Sequence, residues 1–146
     1  MSNVKSDTAN VLIIALSGAG DVLMASPLID ALYNSYPKTN VDILVQDGDL
    51  TLDLLKYHPR IRNILQLRFI KEGQFLFIKA GVIRSCREFY RLHKTAYDIS
   101  INIYPQARYH YSVLAYFISA KLRIGFSYDS QALNINKLFF HRLVKE

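Results

Sequence analysis

An unbroken apolar run, Val11-Leu12-Ile13-Ile14-Ala15, passes directly into Leu16-Ser17-Gly18-Ala19-Gly20-Asp21-Val22-Leu23. A strand with one wet face alternates polar and apolar residues, so this run reads as a strand covered on both faces. From Val22 onward, Ala25, Leu28, Ile29, Leu32, Tyr33 and Tyr36 recur at three- and four-residue spacing, which predicts a helix with one buried face. A buried strand, a glycine-bearing turn and an amphipathic helix in that order point to an α/β architecture. In open sheets of that kind ligands bind beyond the carboxyl ends of the strands. Asp21, where the helix begins, is therefore the first candidate for chemistry.

The rest of the chain repeats the alternation. Residues 41–45, 61–67, 97–103 and 122–126 read as strands two to five. Residues 50–57, 75–92 and 109–120 read as helices between them, and 69–74 as loop or irregular extension. Pro27 lies within the first helical pattern. Either the helix passes through it with a lost hydrogen bond, or the helix starts at Ser26-Pro27 with Ser26 as cap. The sum predicts a Rossmann-like parallel sheet with helices on both faces and strand order 3-2-1-4-5. Residues 1–10 are polar and read as a disordered N-terminus. Residues 127–146 form a weakly patterned tail.

A chain of 146 residues suits one domain with a sizeable core. The formal net charge of +6 favours acidic partners such as phosphates, nucleic acid or anionic lipid, with a solvated basic surface as the plainer reading. Arg84, Arg87, Arg91 and Lys94 recur at helical spacing and form one basic stripe on the third helix. It is either a solvated face or a contact for an anionic membrane. The single Cys86 excludes an internal disulfide and a cysteine-built zinc site, and fits the reducing cytoplasm. His58, His93, His110 and His141 lack metal-type spacing, so no metal site is expected. The N-terminus has no apolar signal segment. No apolar run reaches the roughly 18 residues of a membrane span.

Gly18 and Gly20 invite a dinucleotide-binding reading, with Asp47 at the end of strand two as the ribose-binding acid. That fingerprint needs a third glycine where Leu23 stands. The Walker pattern is absent. Asp21 has two readings. As a helix-start carboxylate it is favoured by free N–H groups and the helix dipole. As a general base it is weakened by that same stabilisation, yet it can accept a proton that becomes acidic in the transition state. Beyond strand four, Tyr104-Pro105-Gln106-Ala107-Arg108 sits across the switch point from strand one, and Gln106 and Arg108 are plausible ligand contacts there.

Several of these stretches, in order, resemble bacterial glycosyltransferase family 9, the lipopolysaccharide core heptosyltransferases and their relatives. They are Val11-Leu12-Ile13-Ile14 with Leu16-Ser17 and Gly20-Asp21-Val22-Leu23, Pro27-Leu28 with Ala31-Leu32, and Tyr36-Pro37. Leu54-Leu55 with His58-Pro59 and Ile61, Tyr97-Asp98-Ile99, and Ala120-Lys121-Leu122-Arg123-Ile124-Gly125-Phe126 complete the series. The resemblance covers about residues 10–126 and implies a GT-B fold, two Rossmann-like domains facing a cleft. It also implies metal-independent, inverting transfer.

On that resemblance, residues 11–126 are the N-terminal, acceptor-binding domain, and 127–146 lead to a C-terminal donor domain that this chain lacks. Asp21 is the implied general base. Ser17, Gly18, Ala19 and Gly20 shape the turn the acceptor approaches, and Gln46, Asp47, Gln106 and Arg108 contact it. No cofactor is implied; a nucleotide-sugar such as ADP-heptose is the co-substrate, held by the other domain. The implied partners are a glycolipid acceptor and, peripherally, the cytoplasmic face of the inner membrane, with no nucleic acid. The expectation is a fragment, a truncated reading frame or an isolated half that transfers nothing alone. Many members carry Asp and then Gln-Gly after strand four; Asn102 and Tyr104-Pro105 stand here, which leaves the acceptor sugar open. Two other readings stand beside this one. They are an NAD(P)- or nucleotide-binding oxidoreductase domain using Gly18, Gly20 and Asp47, and a non-catalytic interaction domain with Asp21 as a cap.

Overall fold

A computed structural model describes residues 8–16, 18–46, 49–67, 87, 89–103, 109–127 and 138–145. In chain order these form β1 (Asn10–Ala15), α1 (Ala19–Ser35), β2 (Asn40–Gln46), α2 (Asp49–Leu55) and β3 (Asn63–Leu67). Then come helical residues 89–94 (α3), β4 (Ile99–Asn102), α4 (Tyr109–Ile118), β5 (Leu122–Ser127) and β6 (Arg142–Lys145). One parallel sheet contains all the strands of the described residues, in the order β3-β2-β1-β4-β5-β6. The expected order 3-2-1-4-5 is present, and the chain extends it by one strand.

β1 is apolar throughout because it is central and covered twice. Leu12, Ile14 and Leu16 pack with Leu44 of β2, Leu92 of α3, and Leu114, Ala115 and Ile118 of α4. Ile13 and Ala15 point the other way, to Val41, Ile43 and Val45 of β2, Val22, Ala25 and Ile29 of α1, and Leu55 of α2. So α1 and α2 form one layer and α3 and α4 the other. Alternation along a strand sorts its residues between the two layers.

α1 runs unbroken through Pro27, and the alternative start at Ser26 is not adopted. Val22 and Ala25, both fully buried, lie N-terminal to the proline, and their packing holds the first turns in register. Pro27 itself is exposed, so its ring displaces no core atom. β3 begins at Asn63 rather than residue 61. Ile61 precedes the ladder yet still packs against the α1–α2 side. The expected helix over 75–92 falls outside the described residues up to 86; its end reaches residue 94. α4 stops at Ile118, and Ser119 takes a left-handed φ of 58°.

The tail is the main correction. Residues 142–145 are not unpatterned chain but β6, paired with β5 from Ile124↔Arg142 to Ser127↔Lys145. The strand carries two apolar residues between two cations, and Leu143 is its contact with the core. So short a pattern carries little periodic signal. Gly125 makes the approach feasible: a Cβ there would lie 3.0 Å from ring carbons of the buried Phe140. The glycine of Ile124-Gly125-Phe126 therefore has a packing reason.

The strand-start edge is tied by two carboxylates. Asp42, 2% exposed, takes Arg62 Nε at 2.9 Å and Asn63 Nδ2 at 3.0 Å on one oxygen. Its other oxygen takes Arg62 Nη2 at 2.7 Å and the Tyr97 hydroxyl at 2.8 Å. Burial, then the Asp42 carboxylate, pushes the Tyr97 phenol well above its usual range. Asp98 accepts from Lys121 Nζ at 2.7 Å and from the Asn10 backbone N–H at 2.9 Å, joining the starts of β1, β4 and β5.

Those two donors, Lys121 first, hold the Asp98 carboxyl below the ordinary carboxylate range. A depressed folded-state pKa means the unfolded chain takes up the proton first as pH falls. The stabilisation is full above the unfolded value of about 4 and is lost as pH drops through the folded one. Urea unfolding from pH 7 downward should show that decline, and Asp98→Asn should flatten it while lowering stability at pH 7.

Candidate active site

The carboxyl ends of β1 and β4 meet where the connections part. The chain leaves β1 for α1 on one face of the sheet, and leaves β4 for α4 on the other. This divergence makes the crevice in which open α/β sheets place their ligands. Ile103 N–H donates to Ile14 carbonyl at 3.2 Å, so the two strands stay paired to the rim.

At the rim of β1, Leu16 is buried and Gly18 is exposed. Gly18 is the N-cap of α1, with φ −64° and ψ 171°, and its carbonyl takes the Val22 N–H at 3.3 Å. That is ordinary extended backbone, so the glycine is not required by conformation. As cap it has no side chain to accept from the first-turn N–H groups, which leaves the positive end of α1 uncovered by its own cap residue. Ala19, Gly20 and Asp21 are the first three helical residues. Asp21 therefore lies inside the first turn and is not the cap; its side chain lies outside the described residues.

Gly18 and Gly20 share a feature that conformation does not explain. Among the described residues, an added Cβ at either position meets no heavy atom within 4 Å. Glycine inside a helix costs about 0.5–1 kcal/mol relative to alanine. Gly20 carries that penalty with space in front of it that no described residue fills. Gly20→Ala is thus expected to raise the melting temperature slightly, by stabilising the first turn. If an acceptor occupies the open space, the same change weakens acceptor binding; equal affinity in the two proteins would show the space unused.

Gln46, the last residue of β2, is exposed and stands at the same rim, one step beyond the Ala15↔Val45 pair. Asn102, the last residue of β4, is buried on the α3–α4 side beside Ile14. Thr51 in α2 and Ser112 in α4 are also buried polar residues. The sequence pattern did not distinguish these last two, since a buried hydroxyl on a helix has no periodic signature. Of the expected site residues, the structure gathers Gly18, Ala19, Gly20, the backbone of Asp21 and Gln46 at one edge. Ser17, Asp47, Gln106 and Arg108 lie outside the described residues.

Leu23, where a dinucleotide fingerprint needs its third glycine, is 51% exposed. It is not at the close helix–sheet contact for which that glycine is required. Among the described residues, no group of three or more His, Cys, Asp or Glu is placed to hold a metal ion. His58 and His141 instead accept backbone N–H groups of Arg60 and Arg123 through Nδ1. No helix among the described residues is long and apolar enough to cross a membrane.

No family model matches the sequence, and no curated protein does. Solved structures do share its fold. A glycosyl transferase family 9 protein from Veillonella parvula DSM 2008 superposes with a TM-score of 0.70 at 22% identity, over 97% of this chain and 36% of its own. The E. coli heptosyltransferase WaaC, solved with ADP-2-deoxy-2-fluoro heptose, gives a TM-score of 0.77 at 18% identity, over 93% of this chain and 42% of its own. E. coli ADP-heptose lps heptosyltransferase II gives 0.59 at 19% identity, over 80% of this chain and 30% of its own. The six-stranded parallel α/β fold is thus that of family 9 glycosyltransferase structures. The chain spans about two fifths or less of the length of each.

Proposed function

We propose that this chain is the acceptor-binding half of an inverting glycosyltransferase that acts with a nucleotide-sugar such as ADP-heptose on a glycolipid of the lipopolysaccharide-core type. The observation that carries the reading is the open glycine-bearing start of α1 at the crevice between β1 and β4, in a fold shared with family 9 transferases. A solved neighbour holds an ADP-sugar analogue, which supports the donor class.

In this reading the acceptor lies against Gly18, Ala19 and Gly20, with Ser17, Gln46, Asp47, Gln106 and Arg108 as its contacts. Asp21 takes the proton from the acceptor hydroxyl as that oxygen attacks the anomeric carbon. The bond from that carbon to the nucleoside diphosphate breaks, and the diphosphate leaves with the electron pair. The glycosidic bond forms on the face opposite the departing group, so the anomeric centre inverts. The charge growing on the leaving diphosphate needs fixed donors or cations, which a second, donor-binding domain supplies. The protein works in the cytoplasm.

The test is reconstitution. Mixed with a separately expressed donor-binding domain from a family 9 enzyme, this chain should transfer sugar to a lipopolysaccharide-core acceptor, and neither part alone should. Transfer by the isolated chain would overturn the half-enzyme reading. Tight NAD binding with no acceptor binding would replace the transferase reading.

A further inference from the structure

α2 is apolar on two faces. Thr51 and Leu55 are buried, and Leu55 packs into the core on the α1–α2 side. Leu50, Leu54 and Tyr57 recur at spacings of four and three, which lines them along a second face. The Lys56 N–H still donates to the Leu52 carbonyl at 2.9 Å, so helical spacing carries into the turn that holds Tyr57. On this second face Leu50 is 66% exposed, Leu54 38% and Tyr57 83%. Lys56 Nζ lies over the Tyr57 ring, 5.0 Å from its centroid. The same Nζ pairs with Asp53 at 2.7 Å, so an acid and a cation stand together beside the stripe. Elsewhere in this layer Arg60 pairs with Asp30 at 2.8 Å.

We infer that a second copy of this chain docks on the stripe, two α2 helices meeting antiparallel about Leu54. Leu50 stands four residues before Leu54 and Tyr57 three after it. A two-fold axis at Leu54 therefore lays Leu50 of each copy against Tyr57 of the other. Helical spacing puts Asp53 and Lys56 on one flank of the stripe. The same axis reverses their order, so Asp53 of each copy comes beside Lys56 of the other. Two copies that each carry a net charge of +6 repel in general. At this stripe each copy brings the acid that its twin's cation needs, and that complementarity singles out a second copy as the occupant. A contact of this size belongs to a reversible dimer, not an obligate one. The inference rests on α2 alone and does not need the transferase reading, so the two fail separately.

The experiment is sedimentation equilibrium of the full chain from about 10 to 500 µM. A monomer–dimer equilibrium is expected, and it should tighten as salt screens the repulsion between the two cationic copies. Leu54→Lys brings two like charges together at the axis and should weaken the dimer about 100-fold. The new cation lies in the last turn of α2, where the helix dipole favours it, so the fold should not suffer. Leu54→Glu should dissociate the dimer in the same way. An equal mixture of the two variants should dimerise again, because a two-fold axis sets the new lysine of one copy against the new glutamate of the other. Circular dichroism checks that each variant folds, and the dilution and salt series on the unaltered chain test the inference without any variant. A chain that stays monomeric through the whole range would overturn it, as would association that salt abolishes. Undiminished dimers of Leu54→Lys would place the contact elsewhere, and a mixture that stays monomeric would exclude the two-fold arrangement. A monomer whose stripe is covered only when a donor-binding domain is added would replace the second copy with that domain.

Discussion

Asp21→Asn is expected to lower the turnover of the reconstituted transferase about a thousandfold, with little change in the acceptor KM. A positioned general base contributes typically about 100- to 10,000-fold. The middle of that range corresponds to about 4 kcal/mol of barrier. Asparagine keeps the size of the side chain and can accept a hydrogen bond from the acceptor hydroxyl. It cannot take the proton, so the loss falls on kcat. The position of Asp21 in the first turn of α1 makes a second effect predictable. A negative charge there is worth about 0.3–1 kcal/mol against the helix dipole, so the variant should melt slightly lower. A variant that melts lower but turns over normally would show that Asp21 serves the helix and not the reaction.

Asp42→Ala should be the most damaging single change to the fold, at about 3 kcal/mol, seen as a shift of about 2 M in the urea midpoint. The substitution removes the acceptor for four donors at once: two from Arg62, one from Asn63 and the Tyr97 hydroxyl. The Arg62 side chain is 37% exposed, so water recovers part of its solvation. Tyr97 is fully buried, and its hydroxyl is left without its carboxylate partner. Tyr97→Phe removes the donor and the orphan together, and should cost only about 1 kcal/mol. Because Asp42 sits at the strand-start edge, opposite the site, the folded fraction of Asp42→Ala should keep full turnover when reconstituted. Asp21→Asn should show the reverse pattern, near-normal stability with lost turnover.

The carboxylates show why some of this was readable from sequence and some was not. Asp21 follows a buried strand and a glycine turn, and that local order alone places it at the ligand-bearing edge. Asp42 interrupts the second apolar strand, and nothing near it in sequence says what neutralises it. Its partners are 20, 21 and 55 residues away. Tyr97-Asp98 has the look of a motif, yet the structure spends both side chains on tying strand starts together. The expected contacts at Ser17, Asp47, Gln106 and Arg108 lie outside the described residues, and in the sequence they stand between periodic segments, where periodicity carries no information.

By itself, the sequence determined the alternation of strands and helices, the central place of β1, and the order of the strands through β5. Each follows from short-range facts: apolar periodicity, glycine and proline punctuation, and the handedness of parallel crossovers. Only the tertiary structure decided that residues 142–145 join the sheet beside β5, that Gly125 clears the way for Phe140, and that no described residue crowds Gly18 or Gly20. Those facts depend on which surfaces meet across the sheet, and a local pattern does not contain the identity of its distant neighbour.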